Sequence, residues 1–172
     1  CQPSSQPSSQ PSAQPSLEPC PRGYYTTDGI QCTKCRTGYS TSETGVLGSD
    51  ESSCDMCADG YSGHTSNGIS GCHACPAGFW SIIGQQCMMC PAGSWSSVHS
   101  SECTPCPNGS FSVHGASKCI LCEAGTYAQL GQPMCQLCVA GTFSDLGASV
   151  CTPCPNGEFS GAGASTCESC SS

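Results

Sequence analysis

Residues 90–122 read CPAGSWSSVHSSECTPCPNGSFSVHGASKCILC, two passes through a single unit. Cys-x-x-Cys pairs stand at Cys87/Cys90, Cys103/Cys106, Cys119/Cys122, Cys135/Cys138, Cys151/Cys154 and Cys167/Cys170, each starting 16 residues after the last. Between pairs the filler is constant. A Gly is followed two residues later by an aromatic: Gly93 with Trp95, Gly109 with Phe111, Gly125 with Tyr127, Gly141 with Phe143, Gly157 with Phe159. A second Gly closes most units, at Gly115, Gly131, Gly147 and Gly163. Strict repetition at so short a period specifies a linear array of small units, not one domain around one core.

Working outward toward the N-terminus, the same unit continues irregularly. Cys20-Pro21-Arg22-Gly23-Tyr24-Tyr25 is a full opening, closed by Cys32; the unit from Cys35 to Cys54 carries an acidic, Ser-rich insert over Ser42 to Ser53, expected to be a surface loop. Residues 20–86 are therefore a region of irregular cysteine-rich repeats, and 87–172 one of regular 16-residue repeats. Residues 1–19 differ in kind. After Cys1 come Gln-Pro-Ser-Ser twice, Gln-Pro-Ser-Ala and Gln-Pro-Ser-Leu, with Pro at 3, 7, 11, 15 and 19. Pro fixes its own φ and extends the residue before it, so the tail is expected to be polyproline-II-like, reaching about 55 Å at ~3.1 Å per residue. Its composition is that of O-glycosylated stalks, which makes Pro3, Ser4, Ser5, Pro7, Ser8, Ser9, Pro11, Ser12, Pro15 and Ser16 candidate sugar sites. A flexible linker is the plainer reading of such a tract. Asn108-Gly109-Ser110 is an N-glycosylation sequon at an expected turn.

Composition explains why the units need sulfur. Leu, Ile, Val and Phe make up only 20 of 172 residues, too few for an ordinary core, and 20 residues are Cys. Disulfides persist in oxidising compartments, so the chain is expected to be extracellular or cell-surface. No apolar run approaches the ~20 residues of a membrane span. The chain opens without Met or a leader, as a processed form or a fragment would. Four Lys+Arg against twelve Asp+Glu, net −8, leave no basic patch for nucleic acid or anionic lipid.

The pattern Cys-Pro-x-Gly-x-aromatic-Ser, with Cys-x-x-Cys 12 or 13 residues on, resembles the ephrin-receptor-like cysteine-rich repeat over residues 20–170, and distantly the first half of tumour-necrosis-factor-receptor modules. The resemblance implies that each Cys before Pro-x-Gly pairs with the first Cys of the next Cys-x-x-Cys. Transferred position by position, it implies Cys20–Cys32, Cys35–Cys54, Cys57–Cys72, Cys75–Cys87, Cys90–Cys103, Cys106–Cys119, Cys122–Cys135, Cys138–Cys151 and Cys154–Cys167. Each such loop stabilises the fold by about 3 kcal/mol on chain-entropy grounds. Two other arrangements remain open from the residues alone. Each Cys-x-x-Cys can close on itself, although such tight loops are usually redox-active. The spacing also fits zinc ribbons, but nine Cys-x-x-Cys pairs do not divide into four-Cys sites.

On the implied pairing Cys1 and Cys170 are left over, which suggests an intermolecular disulfide between successive copies. His64, His73, His99 and His114 share no spacing and are expected in exposed loops. With no Ser/His/Asp set, phosphate loop or paired carboxylates, no enzyme activity, catalytic residue, metal or cofactor is expected. The fold expected is small and disulfide-rich: an elongated ladder of short repeats with strands of two to four residues, little regular secondary structure, an extended tail, and an aromatic spine of one ring per rung. Rungs are expected to touch only their neighbours. The function expected is structural, a subunit of a glycosylated extracellular filament assembling head to tail, with copies of itself and attached glycans as partners. The Gln-Pro-Ser-Ser tract beside such repeats resembles algal surface glycofibril and mastigoneme proteins. The alternative is a ligand-binding or adhesion ectodomain, for which Phe79-Trp80 beside Ile82-Ile83, and Trp95, are the candidate patch.

Overall fold

The computed structural model describes residues 20–28, 30–42, 51–63 and 71–170. The tail with Cys1, His64 and most of the insert lie outside the described residues. Nine disulfides link Cys20–Cys32, Cys35–Cys54, Cys57–Cys72, Cys75–Cys87, Cys90–Cys103, Cys106–Cys119, Cys122–Cys135, Cys138–Cys151 and Cys154–Cys167. They define rungs 1 to 9 of a ladder. Every rung is a two-stranded antiparallel hairpin with strands of two residues, such as Ser94–Trp95 against Thr104–Pro105 in rung 5. Among the described residues the sole helical element is one 3-10 turn, Glu51–Ser53, in the insert.

A single local device shapes each rung. In rung 5 the Ser94 N–H donates to the Pro91 carbonyl at 3.2 Å, closing a four-residue turn with Gly93 at its third position and φ 85°. A type II turn requires positive φ there, which is why the unit carries Gly. The Ser94 hydroxyl donates to the same carbonyl at 2.8 Å, and Ser110, Thr126 and Thr142 repeat the arrangement. The Cys106 N–H then donates to the Gly93 carbonyl at 2.8 Å and aligns the returning strand.

Stacking is equally regular. In rungs 3 to 8 the turn Gly donates its N–H to the carbonyl three residues past the turn Gly of the next rung: Gly60 to Ser81, Gly78 to Ser96, Gly93 to Ser112, Gly109 to Ala128, Gly125 to Ser144, Gly141 to Ser160. The closing residue of the later rung donates back, as Gly115 does to the Cys90 carbonyl at 2.9 Å and His99 to the Cys75 carbonyl at 3.2 Å. Parallel bridges such as Trp95 with Ala116 and Phe143 with Ala164 join successive rungs.

The interior differs from the expected column of rings. Cys75, Cys90, Cys106, Cys122 and Cys138 are fully buried, and beside them lie Thr26, Thr41, Ser81, Ser96, Ser112, Ala128 and Ser144, all at most 2 % exposed. The aromatics Trp80, Trp95, Phe111, Tyr127 and Phe143 are half-buried, and Phe159 is exposed. The reason is alternation: in a strand neighbouring side chains point to opposite faces. The residue after each aromatic takes the inward place, where the close approach of successive backbones admits only a small side chain. Its hydroxyl has work there, since Ser112 donates to the Ser94 carbonyl at 2.8 Å and Ser144 to the Thr126 carbonyl at 2.9 Å. Among the described residues no buried side-chain polar atom lacks a partner.

Coupling also reaches further than the expected nearest neighbour. A methyl group on Gly60, Gly78, Gly93, Gly109 or Gly125 would fall under 3.0 Å from the backbone of the rung two places on, at His99, Gly115, Gly131, Gly147 and Gly163 respectively. Hairpins this thin let the turn of one rung reach past its neighbour, so the turn Gly serves a packing role besides its φ.

Candidate functional site

Residues singled out from the sequence occupy scattered places. Cys170 is exposed and free, beyond the last disulfide. Asn108 is exposed in the turn before Gly109. His73, His99 and His114 are exposed and far apart in the chain. His99 has φ 62° at the position where later rungs have their closing Gly, and its ring lies 5.0 Å from that of Tyr61. Among the described residues no group of three His, Cys, Asp or Glu is placed to hold a metal, and no helix is long and apolar enough to cross a membrane.

The candidate patch for the alternative reading is largely covered. Phe79, Trp80, Ile83 and Trp95 are half-buried, and only Ile82, at 42 %, is substantially exposed. Exposed apolar side chains run along the ladder from Met88 and Met89 in rung 4 to Phe159 in rung 9, with Ile30 in rung 1. Two shallow hollows, each of about 360 Å³, open between successive hairpins. The first, between rungs 6 and 7, is lined by Phe111, Ile120, Leu121, Glu123, Thr126, Met134 and Cys135; the second, between rungs 7 and 8, by Tyr127, Gln129, Leu137, Val139, Thr142, Val150 and Cys151. Phe111 and Tyr127, Leu121 and Leu137, Glu123 and Val139, Thr126 and Thr142, Met134 and Val150 are the same positions one repeat apart. Leu121, Met134, Leu137, Val139 and Val150 are between 55 and 69 % exposed. In the sequence the signal was an apolar third residue in Cys-x-x-Cys, which faces outward once the hairpin forms.

At each end of this strip one of these positions carries a charge. Between rungs 5 and 6 Lys118 stands where Met134 and Val150 stand in the hollows, and between rungs 8 and 9 Glu158 stands where Thr126 and Thr142 do. Both are exposed. Of the other cations, Arg22, Lys34 and Arg36 all lie in the first two rungs, with the Arg36 guanidinium 4.0 Å from the centre of the Tyr39 ring. Past Lys118 every charge is acidic: Glu123, Asp145, Glu158 and Glu168.

Among the described residues three carboxylates hold backbone: Asp59 accepts from the Ile83 N–H at 2.7 Å, Asp55 from the Ser42 N–H at 3.3 Å, and Asp28 from two amides. Asp28 accepts from the Gln31 N–H at 3.0 Å, the Ile30 N–H at 2.9 Å and the Thr26 hydroxyl at 3.1 Å. These donors, the Gln31 amide foremost, hold its pKa below the ordinary 3.8. Compared with protein-family models and with curated proteins, the chain finds no match.

Proposed function

We propose that this chain is a structural subunit of an extracellular, glycosylated filament assembling head to tail. The observation that carries the reading is the directionality of the ladder. Six successive rungs, 3 to 8, donate the same turn-Gly N–H to the next rung, and each accepts the closing residue's N–H in return, from His99 in one case and from Gly in the other five. The two edges of such a stack differ, one offering a turn-Gly N–H with a Cys carbonyl and the other the complementary carbonyl with a closing-residue N–H, so a rung of one copy can continue the ladder of another without a new type of contact. A heterologous contact of this kind propagates into an open filament.

In this reading Cys1 of one subunit bonds the exposed Cys170 of the next. The tail carries sugar on its Pro and Ser residues, and Asn108 offers an exposed sequon. The repeat belongs with ephrin-receptor-like cysteine-rich modules, and the tail with algal surface glycofibril or mastigoneme proteins. The nine disulfides support secretion into an oxidising compartment. A second reading, a ligand-binding or adhesion ectodomain, is favoured by the exposed apolar hollows of rungs 6 to 8.

The test is an alkylated, non-reducing peptide map of the assembled protein, with electron microscopy of the same sample. A Cys1–Cys170 peptide together with fibres of uniform width supports the proposal. Cys1 and Cys170 recovered as free thiols or joined only to other partners, with single particles on the grid, refutes it.

A further inference from the structure

We propose that the two apolar hollows of rungs 6 to 8 are a lateral interface, and that their occupant is a second copy of this chain packed antiparallel about a two-fold axis between them. This contact is separate from the head-to-tail one, and uses the side of the ladder instead of its ends.

Three observations lead to it. First, the hollows are equivalent positions one repeat apart, and a two-fold axis perpendicular to the ladder exchanges them. The hollow of rungs 6 and 7 then faces the partner's hollow of rungs 7 and 8, and the reverse, so one surface is complementary to itself. Second, the strip is apolar where it is to be covered. Leu121, Met134, Leu137, Val139 and Val150 are all more than half exposed, and Glu123 is the single charged side chain lining either hollow. An exposed apolar surface with charged residues at its rims on a net-acidic molecule is the kind expected to meet another protein.

The third observation selects the partner and its direction. Reversing the order of rungs brings the site between rungs 5 and 6 opposite the partner's site between rungs 8 and 9. That brings the rim carrying Lys118 to the rim carrying Glu158 of the other copy, once at each end. Parallel, in-register pairing would set Lys118 against Lys118, Glu123 against Glu123 and Glu158 against Glu158. Like charges suppress that arrangement and opposite charges favour the antiparallel one. Lys118 is also the last cation in the chain, so the acidic rungs 7 to 9 have one nearby source of positive charge on this face.

The repeat supplies variants that leave the fold intact. Met134→Lys copies onto rung 7 the residue rung 6 already carries as Lys118, and Val139→Glu copies Glu123. The full-length secreted protein, with its disulfides intact, is examined by analytical ultracentrifugation and by zero-length carbodiimide cross-linking with peptide mapping. The result expected is a concentration-dependent dimer whose cross-linked band contains Lys118 joined to Glu158 of the other copy. Met134→Lys and Val139→Glu should each weaken it at least tenfold. Lys118→Glu or Glu158→Lys alone should weaken it severalfold, and the double exchange should restore it. Retention of far-UV circular dichroism and of all nine disulfides excludes misfolding as the cause. Head-to-tail contact alone would instead link Lys34 to Glu158 or Glu168, would ignore Met134→Lys and Val139→Glu, and would overturn the lateral proposal. So would a protein that stays monomeric at all concentrations, or a double exchange that fails to rescue. Loss of the Cys170 bond with survival of the Lys118–Glu158 link would remove the head-to-tail reading and leave this one standing.

Discussion

Replacing Gly109 by Ala tests whether rungs are coupled beyond their neighbours. Gly109 has φ 79°, and a methyl group there would collide with the carbonyl of Gly147, two rungs on. Gly141 has nearly the same φ, 82°, yet a methyl group on it would meet nothing within 4 Å. Both substitutions carry the cost of a non-Gly residue in the left-handed region, about 1–2 kcal/mol. Only Gly109→Ala adds the collision, and forcing one carbon into packed backbone costs about a further 1–3 kcal/mol. Disulfides hold the chain together in either variant, so the cost appears as local opening, not as a shift in a global melt. Native-state hydrogen exchange reads it directly. The Gly147 N–H, 2.8 Å from the Cys122 carbonyl, should exchange about 5- to 150-fold faster in Gly109→Ala than in the parent protein, the factor that 1–3 kcal/mol represents. Gly141→Ala strains rung 8 from within and should leave rung 6 amides at their parent rates, whereas Gly109→Ala, in rung 6, should reach Gly147 two rungs away. A Gly147 amide that keeps its parent rate in Gly109→Ala would refute second-neighbour packing.

Other expectations follow from the same geometry. Ser112→Ala removes a buried hydroxyl bonded to the Ser94 carbonyl and should speed exchange of rung 5 and 6 amides in line with a loss of about 0.5–1.5 kcal/mol; Ala128→Ser, which supplies the hydroxyl this rung lacks, should slow exchange in rung 7 by a similar factor. Asp28, with its folded pKa held below 3.8, contributes stability that is complete above 3.8 and is lost as pH falls through the lower folded value. Exchange at the Ile30 and Gln31 amides, corrected for intrinsic rates, should therefore quicken only in that acid range, and Asp28→Asn should abolish the dependence. Cys122→Ser with Cys135→Ser deletes one bridge, worth about 3 kcal/mol. Limited proteolysis should then cut rung 7 first, with rungs 5, 6, 8 and 9 loosened and rungs 1 to 3 unchanged; uniform digestion along the chain would contradict the ladder's locality.

Much of this molecule was legible in its sequence because the information is one-dimensional. A 16-residue period, a Gly where a turn needs positive φ and a Cys every rung specify hairpin, turn and stack with no reference to distant residues. The sulfur content and the scarcity of Leu, Ile, Val and Phe likewise determined that cross-links would replace a core. Tertiary structure decided what faces where. The rings of Trp95, Phe111 and Tyr127 look like core by type, yet they lie half out, because the next residue in each strand points inward and only Ser, Thr or Ala fits between backbones so close. Contact between Gly109 and Gly147 spans 38 residues and depends on how far each rung steps and turns, a quantity no local motif encodes. The apolar hollows became a surface for the same reason: Leu121 and Leu137 face outward only once Cys122 and Cys138, beside them in the chain, have turned in.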